Sequence, residues 1–199
     1  MMKPIACALL CLLVAPQEDP AKNLKSKDAN TRLIALEALS KEKNAKNEKA
    51  VLGALKDDDW EVVEKAVEVL GKIGSKEALD DLVKLALNAP LKRLRTGAGA
   101  TLAEIDAQAG LEALLKKLPA ADVLAKKGAG PEVGRLVQSL AELAANAKVE
   151  LDLSALDKLP EKAKDAFVRA EAARALVAGT PASKTEVLQR LALSASPQV

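Results

Sequence analysis

The chain has 199 residues, enough for one domain with a sizeable core. Thirty basic and 28 acidic residues leave a net charge of +2, which gives no argument for nucleic acid or an anionic membrane as partner. Histidine is absent, so the commonest general acid–base group near neutral pH and the commonest metal ligand are both missing. Hydrophobic residues make up 49% but aromatics only 1%, namely Trp60 and Phe167, so the core must be built from Leu, Ala and Val. Leu and Ala favour helix, whereas strands favour β-branched and aromatic residues. An all-α fold is expected.

Residues 1–15, MMKPIACALLCLLVA, place one lysine ahead of an apolar run from Ile5 to Ala15, and the polar PQEDP follows. A core helix would be amphipathic, whereas this run is apolar all round and too short to span a bilayer, which takes about 20 residues. It reads as a secretory signal peptide, and the expected location is periplasmic or secreted. The cleavage site is imperfect: Ala15 suits the residue before the cut, but Leu13 is large and Pro16 would follow. Removal of the leader takes Cys7 and Cys11 with it, which excludes a disulfide, a thiolate metal site and a cysteine nucleophile from the remaining chain.

Residues 16–27 are polar without a helical stripe and read as a flexible linker. From Asp28 onward, apolar residues recur at spacings of three and four, as amphipathic helices require. In 62–73 they are Val62, Val63, Ala66, Val67, Leu70 and Ile73; in 76–86 they are Ala78, Leu79, Leu82, Val83 and Ala86. Gly71 and Gly74 fall where the first of these helices should end, and Ser75 where the second should be capped.

The segments repeat. DANTRLIALEALS (28–40), DWEVVEKAVEVLG (59–71), LKRLRTGAGATLA (91–103) and DAFVRAEAARALV (165–177) align without gaps. Their eighth residues are Ala35, Ala66, Ala98 and Ala172, and their twelfth are Leu39, Leu70, Leu102 and Leu176. A degenerate copy fits 131–145. Second apolar-striped segments follow at 48–56, 76–87, 109–118, weakly at 151–159, and at 183–193. Neither helix of such a pair buries its apolar face alone, so neighbouring pairs must stack into an α-solenoid.

The pattern D-x-x-V-R-x-x-A-A-x-A-L-G followed by IGSKEALDDLVKL resembles a HEAT repeat, in particular the short HEAT-like repeats of phycobilisome lyases. The resemblance covers residues 28–118 well and 161–193 moderately, while 119–160 is degenerate or inserted. It implies a right-handed superhelix of about five antiparallel helix pairs over residues 28–195. First helices would form the outer, convex row and second helices the inner, concave row. Val63 stands where the family has Arg, Gly99 where it has an apolar residue, and Leu91 where it has Asp. A regular Asp/Arg ladder through all repeats is therefore not expected, although Arg32, Arg95 and Arg169 can form parts of one.

Asp57, Asp58 and Asp59 precede the only tryptophan. Asp59 shares its repeat position with Asp28 and Asp165, just before a first helix, where a side chain accepts a backbone N–H; for Asp59 such a cap contributes about 1 kcal/mol. Asp57 and Asp58 lie near the positive end of the helix dipole. A calcium loop would need further oxygen ligands that are not present here. Trp60 is expected to cover a groove between repeats. Adjacent Asp80 and Asp81 point about 100° apart on a helix and make a poor ion clamp. RTGAGATLAEI (95–105) lies in an expected helix rather than after a strand, so its glycines read as close packing or a kink, not a dinucleotide loop. The small basic cluster LKRLR lacks interleaved aromatics, and KKGAGPE (126–132) reads as a loop.

These features predict a non-enzymatic scaffold with no cofactor and no metal, binding a protein or peptide on its concave surface, with no nucleic acid, no membrane span and a monomeric state. The expected partner-binding residues are Asp80, Asp81, Lys84, Glu112, Lys116 and Lys117, the polar positions of the second helices. Two alternatives are a structural or envelope-associated repeat protein without a specific ligand, and, less favoured, a bilin lyase-like factor, for which the chain lacks the expected aromatic, Cys and His neighbours.

Overall fold

The computed structural model describes residues 19–41, 45–119 and 130–179, and within them every regular element is helical. In chain order these are α1 (Pro20–Asn23), α2 (Ala29–Ser40), α3 (Ala45–Ala54) and α4 (Trp60–Ile73). A 3-10 turn (Lys76–Ala78) then runs into α5 (Leu79–Asn88), followed by α6 (Lys92–Leu115) and α7 (Pro131–Asn146). A second 3-10 turn (Ser154–Leu156), α8 (Leu159–Lys162) and α9 (Ala166–Gly179) complete the series.

Helix starts follow the aligned aspartates. Asp28 accepts from the Thr31 N–H at 2.9 Å, Asp59 from Glu61 at 2.8 Å, and Asp165 from Phe167 at 2.8 Å. Leu91, at the same position, offers no side-chain cap. Gly74 ends α4 with φ 76°, and the N–H groups of Gly74 and Ser75 both reach the Leu70 carbonyl, at 3.0 and 3.1 Å. That closure needs a left-handed residue, which glycine supplies without a steric penalty. Gly71 does not end the helix; a Cβ there would sit 2.5 Å from Glu104 Oε2, so it permits the close approach of α4 and α6. Ser75 does not cap with its side chain as expected: its Oγ is buried without a partner, and the second helix begins as a 3-10 turn.

α6 is two helices joined by a kink. Asp106 has extended backbone (φ −163°, ψ 94°), and its carboxylate caps the second part by accepting the Ala109 N–H at 3.1 Å. The break matches the expected change from a first segment (91–103) to a second (109–118). α2, α4, the first part of α6, α7 and α9 pack in succession, so each copy of the repeat lies against the next. The aligned alanines and leucines are all buried, with Leu39, Leu70 and Leu102 fully so. Each such leucine contributes about 1.5–3 kcal/mol of apolar burial. α4 lies between two neighbours and buries Val69 as well as the expected stripe, so its apolar surface is wider than one face.

Two expectations need correction. The linker assigned to 16–27 contains α1, capped by Asp19 with Pro20 in its first turn, and Ala21 and Leu24 pack on the core. The second segment at 151–159 is not an α-helix: Leu151, Leu153, Leu156 and Leu159 are all buried, but from a stretch without regular structure, a 3-10 turn and the start of α8. The leader at 1–15 and the segment at 183–193 lie outside the described residues, as do 126–129 of the loop expected at 126–132, while Pro131 and Glu132 of that loop instead begin α7.

Candidate functional site

The chain leaves α3 through a turn in which Asp57 N–H donates to the Ala54 carbonyl at 3.2 Å. The Asp57 carboxylate then accepts from Arg32 Nη2 at 2.7 Å and from the Asp59 N–H at 2.9 Å. Arg32 Nη1 donates to the carbonyls of Ser26 and Lys27 at 2.9 and 3.3 Å. One guanidinium therefore ties the entry to α2 to the entry to α4. The acidic triplet has divided roles: Asp57 is an interior ion-pair acceptor, Asp58 has a side chain 97% exposed, and Asp59 caps α4. Burial pushes the Asp57 carboxyl up, but its bonds to Arg32 and the Asp59 N–H outweigh this and hold it below the ordinary value of 3.8.

The arginine at this repeat position acts as a clamp in the three aligned copies that have one. Arg95 Nη1 donates to Ala89 and Pro90 at 2.8 and 3.1 Å, and Arg169 Nη1 to Ala163 and Lys164 at 2.9 and 3.0 Å. These are the same carbonyl positions, six and five residues back, that Arg32 uses. Among the described residues the carboxylate partner exists only for Arg32. Val63 replaces the clamp with apolar packing against Ala89 and Leu94. A partial arginine series is thus present without a continuous ladder.

Held by these turns, Trp60 stands 41% exposed over a groove of about 540 Å³. Leu55, Leu85, Ala89 and Pro90 supply its apolar wall, and Lys56, Asp81 and Lys84 its charged rim. Lys84 Nζ lies 2.7 Å from Asp81 Oδ1, and this bond raises the lysine pKa. The groove opens between the ends of α3 and α5, the second helices of the first two repeats.

The six expected partner-binding residues do not form one group. Asp81 and Lys84 line the groove, while Asp80 is exposed on the same helix outside it. Glu112, Lys116 and Lys117 are exposed at the end of α6, a repeat further on. Ala89 and Pro90 were not foreseen, because they come from the turn after α5 rather than from a helical stripe, and Leu55, within the expected striped segment 48–56, sits in the turn after α3. Among the described residues, no three acidic or cysteine side chains are placed to hold a metal ion, and no helix is long and apolar enough to cross a membrane. Gly99 fulfils the close-packing expectation, since a Cβ there would lie 3.2 Å from the Ser139 carbonyl oxygen; Gly97 faces open space.

This geometry defines an α-helical repeat protein, and residues 19–103 match the family model of HEAT repeats. No curated protein sequence matches the chain. Among solved structures, the complex of CpcE and CpcF of phycocyanin lyase from Nostoc sp. PCC7120 includes a chain 20% identical, with a TM-score of 0.52 over 98% of this chain and 77% of that one. At that identity the likeness is one of fold. An engineered protein, also 20% identical, is matched over 88% of this chain and 94% of its own with a TM-score of 0.43.

Proposed function

We propose that the chain is a non-enzymatic interaction scaffold that receives a polypeptide along its second helices, with the Trp60 groove as the anchor point. The carrying observation is the half-exposed Trp60 beside an apolar wall and a charged rim. Tryptophan in such a pocket dominates many protein interfaces, and solenoids present extended surfaces for this purpose. In this reading α3, α5 and the second part of α6 form the concave face. Asp80, Asp81, Lys84, Glu112, Lys116 and Lys117 are its polar contacts, and the free protein is a monomer. The apolar run at 1–15 extends the proposal to an exported protein. Recovery of the chain from cytoplasm with Met1, Cys7 and Cys11 intact, by fractionation and intact mass, would refute export.

The test is affinity capture of the tagged protein from its host's envelope extract, with retained polypeptides identified by mass spectrometry. A stoichiometric polypeptide is expected. It should be lost on Trp60→Ala and weakened when Lys84, Lys116 and Lys117 are changed to Glu. An empty column beside a folded helical spectrum would favour the structural, ligand-free reading instead. The bilin-lyase reading draws on the likeness to phycocyanin lyase, but its aromatic, Cys and His requirements find little here: no His, two aromatics, and both cysteines within 1–15. Appearance of a stable visible absorption band on mixing with a bilin would reverse that preference.

A further inference from the structure

A second groove, of about 630 Å³, lies between α1 and α3. Its floor is small and apolar, formed mainly by Ala21, Leu24, Ala50 and Ala54, and its walls carry Lys22, Lys25 and Lys49. All three lysines are exposed, and none has an ion-pair partner among the described residues. Among the described residues that line it, the one carboxylate is Asp57, which pairs with Arg32 at 2.7 Å and with none of the three lysines. Gly53 also lines the groove, is exposed, and would carry a Cβ with nothing within 4 Å. Glycine weakens a helix relative to alanine, yet here it leaves the α3 backbone open to close approach.

We propose that this groove docks an acidic polypeptide segment, with its carboxylates on Lys22, Lys25 and Lys49 and small or aliphatic side chains over Gly53. This rests on the reading of the chain as an interaction scaffold but uses a surface other than the Trp60 groove. Three lysines without an ion-pair partner among the described residues, around an apolar floor, are complementary to such a segment. Nucleic acid is disfavoured because no aromatic lines the groove for base stacking. A shallow floor with three alanines and Gly53 beside a single leucine suits the close passage of a peptide backbone better than a lipid chain.

The experiment is selection of a displayed random dodecapeptide library on the full-length protein, followed by titration of the enriched peptides. Peptides combining Asp or Glu with aliphatic residues are expected. Changing Lys22, Lys25 and Lys49 to Glu should weaken them at least about tenfold, with a smaller effect at high salt. Gly53→Leu should block binding to a similar degree while leaving thermal stability unchanged or higher, since a Cβ there meets nothing within 4 Å and leucine favours helix over glycine. Trp60→Ala should leave these peptides bound, which separates this surface from the Trp60 groove. Enrichment of neutral or basic peptides, binding indifferent to the lysine and Gly53 changes, or binding of acidic phospholipid vesicles or single-stranded RNA through the same lysines in place of peptides would each overturn the proposal.

Discussion

In residues 28–115, α2 and α4 start at an aspartate cap, α4 closes on a left-handed glycine, and α5 runs as a continuous second helix. In residues 130–179, α7 starts without a side-chain cap, and the place of a second helix is taken by a 3-10 turn and the four-residue α8. Both regions nevertheless bury a row of leucines in the same hydrophobic core. The difference lies in their spacing. Leu151 and Leu153 lie two apart in a stretch without regular structure, where Leu153 has φ −101° and ψ 15°, and Leu156 and Leu159 follow at intervals of three, as in a 3-10 helix. Asp152 turns the chain between them by accepting the Ser154 N–H at 3.0 Å. A solenoid repeat can thus keep its leucines in place after its helix has been lost.

The largest expected effect comes from deleting one leucine of each kind. Leu70 and Leu156 are both fully buried. Replacement of either by Ala should cost about 2–5 kcal/mol, depending on how far the site collapses. Leu70 is held between packed helices and should fall at the upper end, whereas the turn around Leu156 can relax and should fall at the lower end. Urea unfolding of both variants measures this. Equal losses would mean that the irregular segment is packed as rigidly as the repeats.

At the joint between the regions, α6 meets α7 at Gly99. Gly99→Ala brings a methyl group to 3.2 Å from the Ser139 carbonyl oxygen and from Glu142 Cβ, and backbone yields less easily than a side-chain tip. A loss of about 1–3 kcal/mol is expected. Gly97→Ala, two residues away with no neighbour within 4 Å, should instead gain up to about 1 kcal/mol from helix propensity. Opposite signs in thermal unfolding would locate the tight joint at Gly99; a loss at both positions would remove that distinction.

Periodicity made the first region and α9 readable, because Ala35, Ala66, Ala98 and Ala172 and their partner leucines recur at fixed positions within each copy and all are buried. It failed for 151–159, where the leucine spacing mixes two local geometries and matches neither helix nor strand throughout. It also missed α1, since four residues are too few to show a stripe, although Asp19 followed by Pro20 is a helix-start signal. The candidate sites were less readable for the same reason. The Trp60 groove takes Leu55, Ala89 and Pro90 from turns, and the lysine groove joins Lys22 and Lys25 of α1 and its exit to Lys49 of α3. Tertiary packing creates both. The role of Asp57 was hidden too: its partner Arg32 lies 25 residues earlier, and the matching arginines bind carbonyls alone.

That first-joint ion pair predicts a pH response confined to the regular region. The Asp57 carboxyl is held below 3.8 in the folded chain, so its contribution is present above that value and is lost as pH falls through the lowered one. Asp57→Asn should lower Tm by several degrees at neutral pH, because the buried Arg32 would keep only the exposed Asp58, 3.3 Å from its Nη2, as a counter-charge. The gap between variant and parent should then narrow as the pH is taken below about 4. A gap that stayed constant with pH would show that the carboxylate acts through its hydrogen bonds alone, and no gap at any pH would refute its structural role.

The smallest effects are expected from surface pairs between successive first helices, which occur in both regions. Arg93 Nε lies 3.0 Å from Glu64 Oε2 in the regular region, with both side chains about half exposed. Arg174 Nη2 lies 3.0 Å from Glu142 Oε1 at the α7–α9 joint, where the glutamate side chain is 23% exposed and Glu171 holds the same arginine at 2.8 Å. Glu64→Gln and Glu142→Gln should each cost less than about 1 kcal/mol. Glu142 should cost the more, because its carboxylate is better shielded and its partner is held in place by Glu171. Both losses should shrink at about 1 M salt if they are electrostatic, with the exposed Glu64 pair shrinking first. If the Glu142 loss persisted undiminished in salt, the interaction at that joint would reside in the packing of α7 on α9 and not in charge.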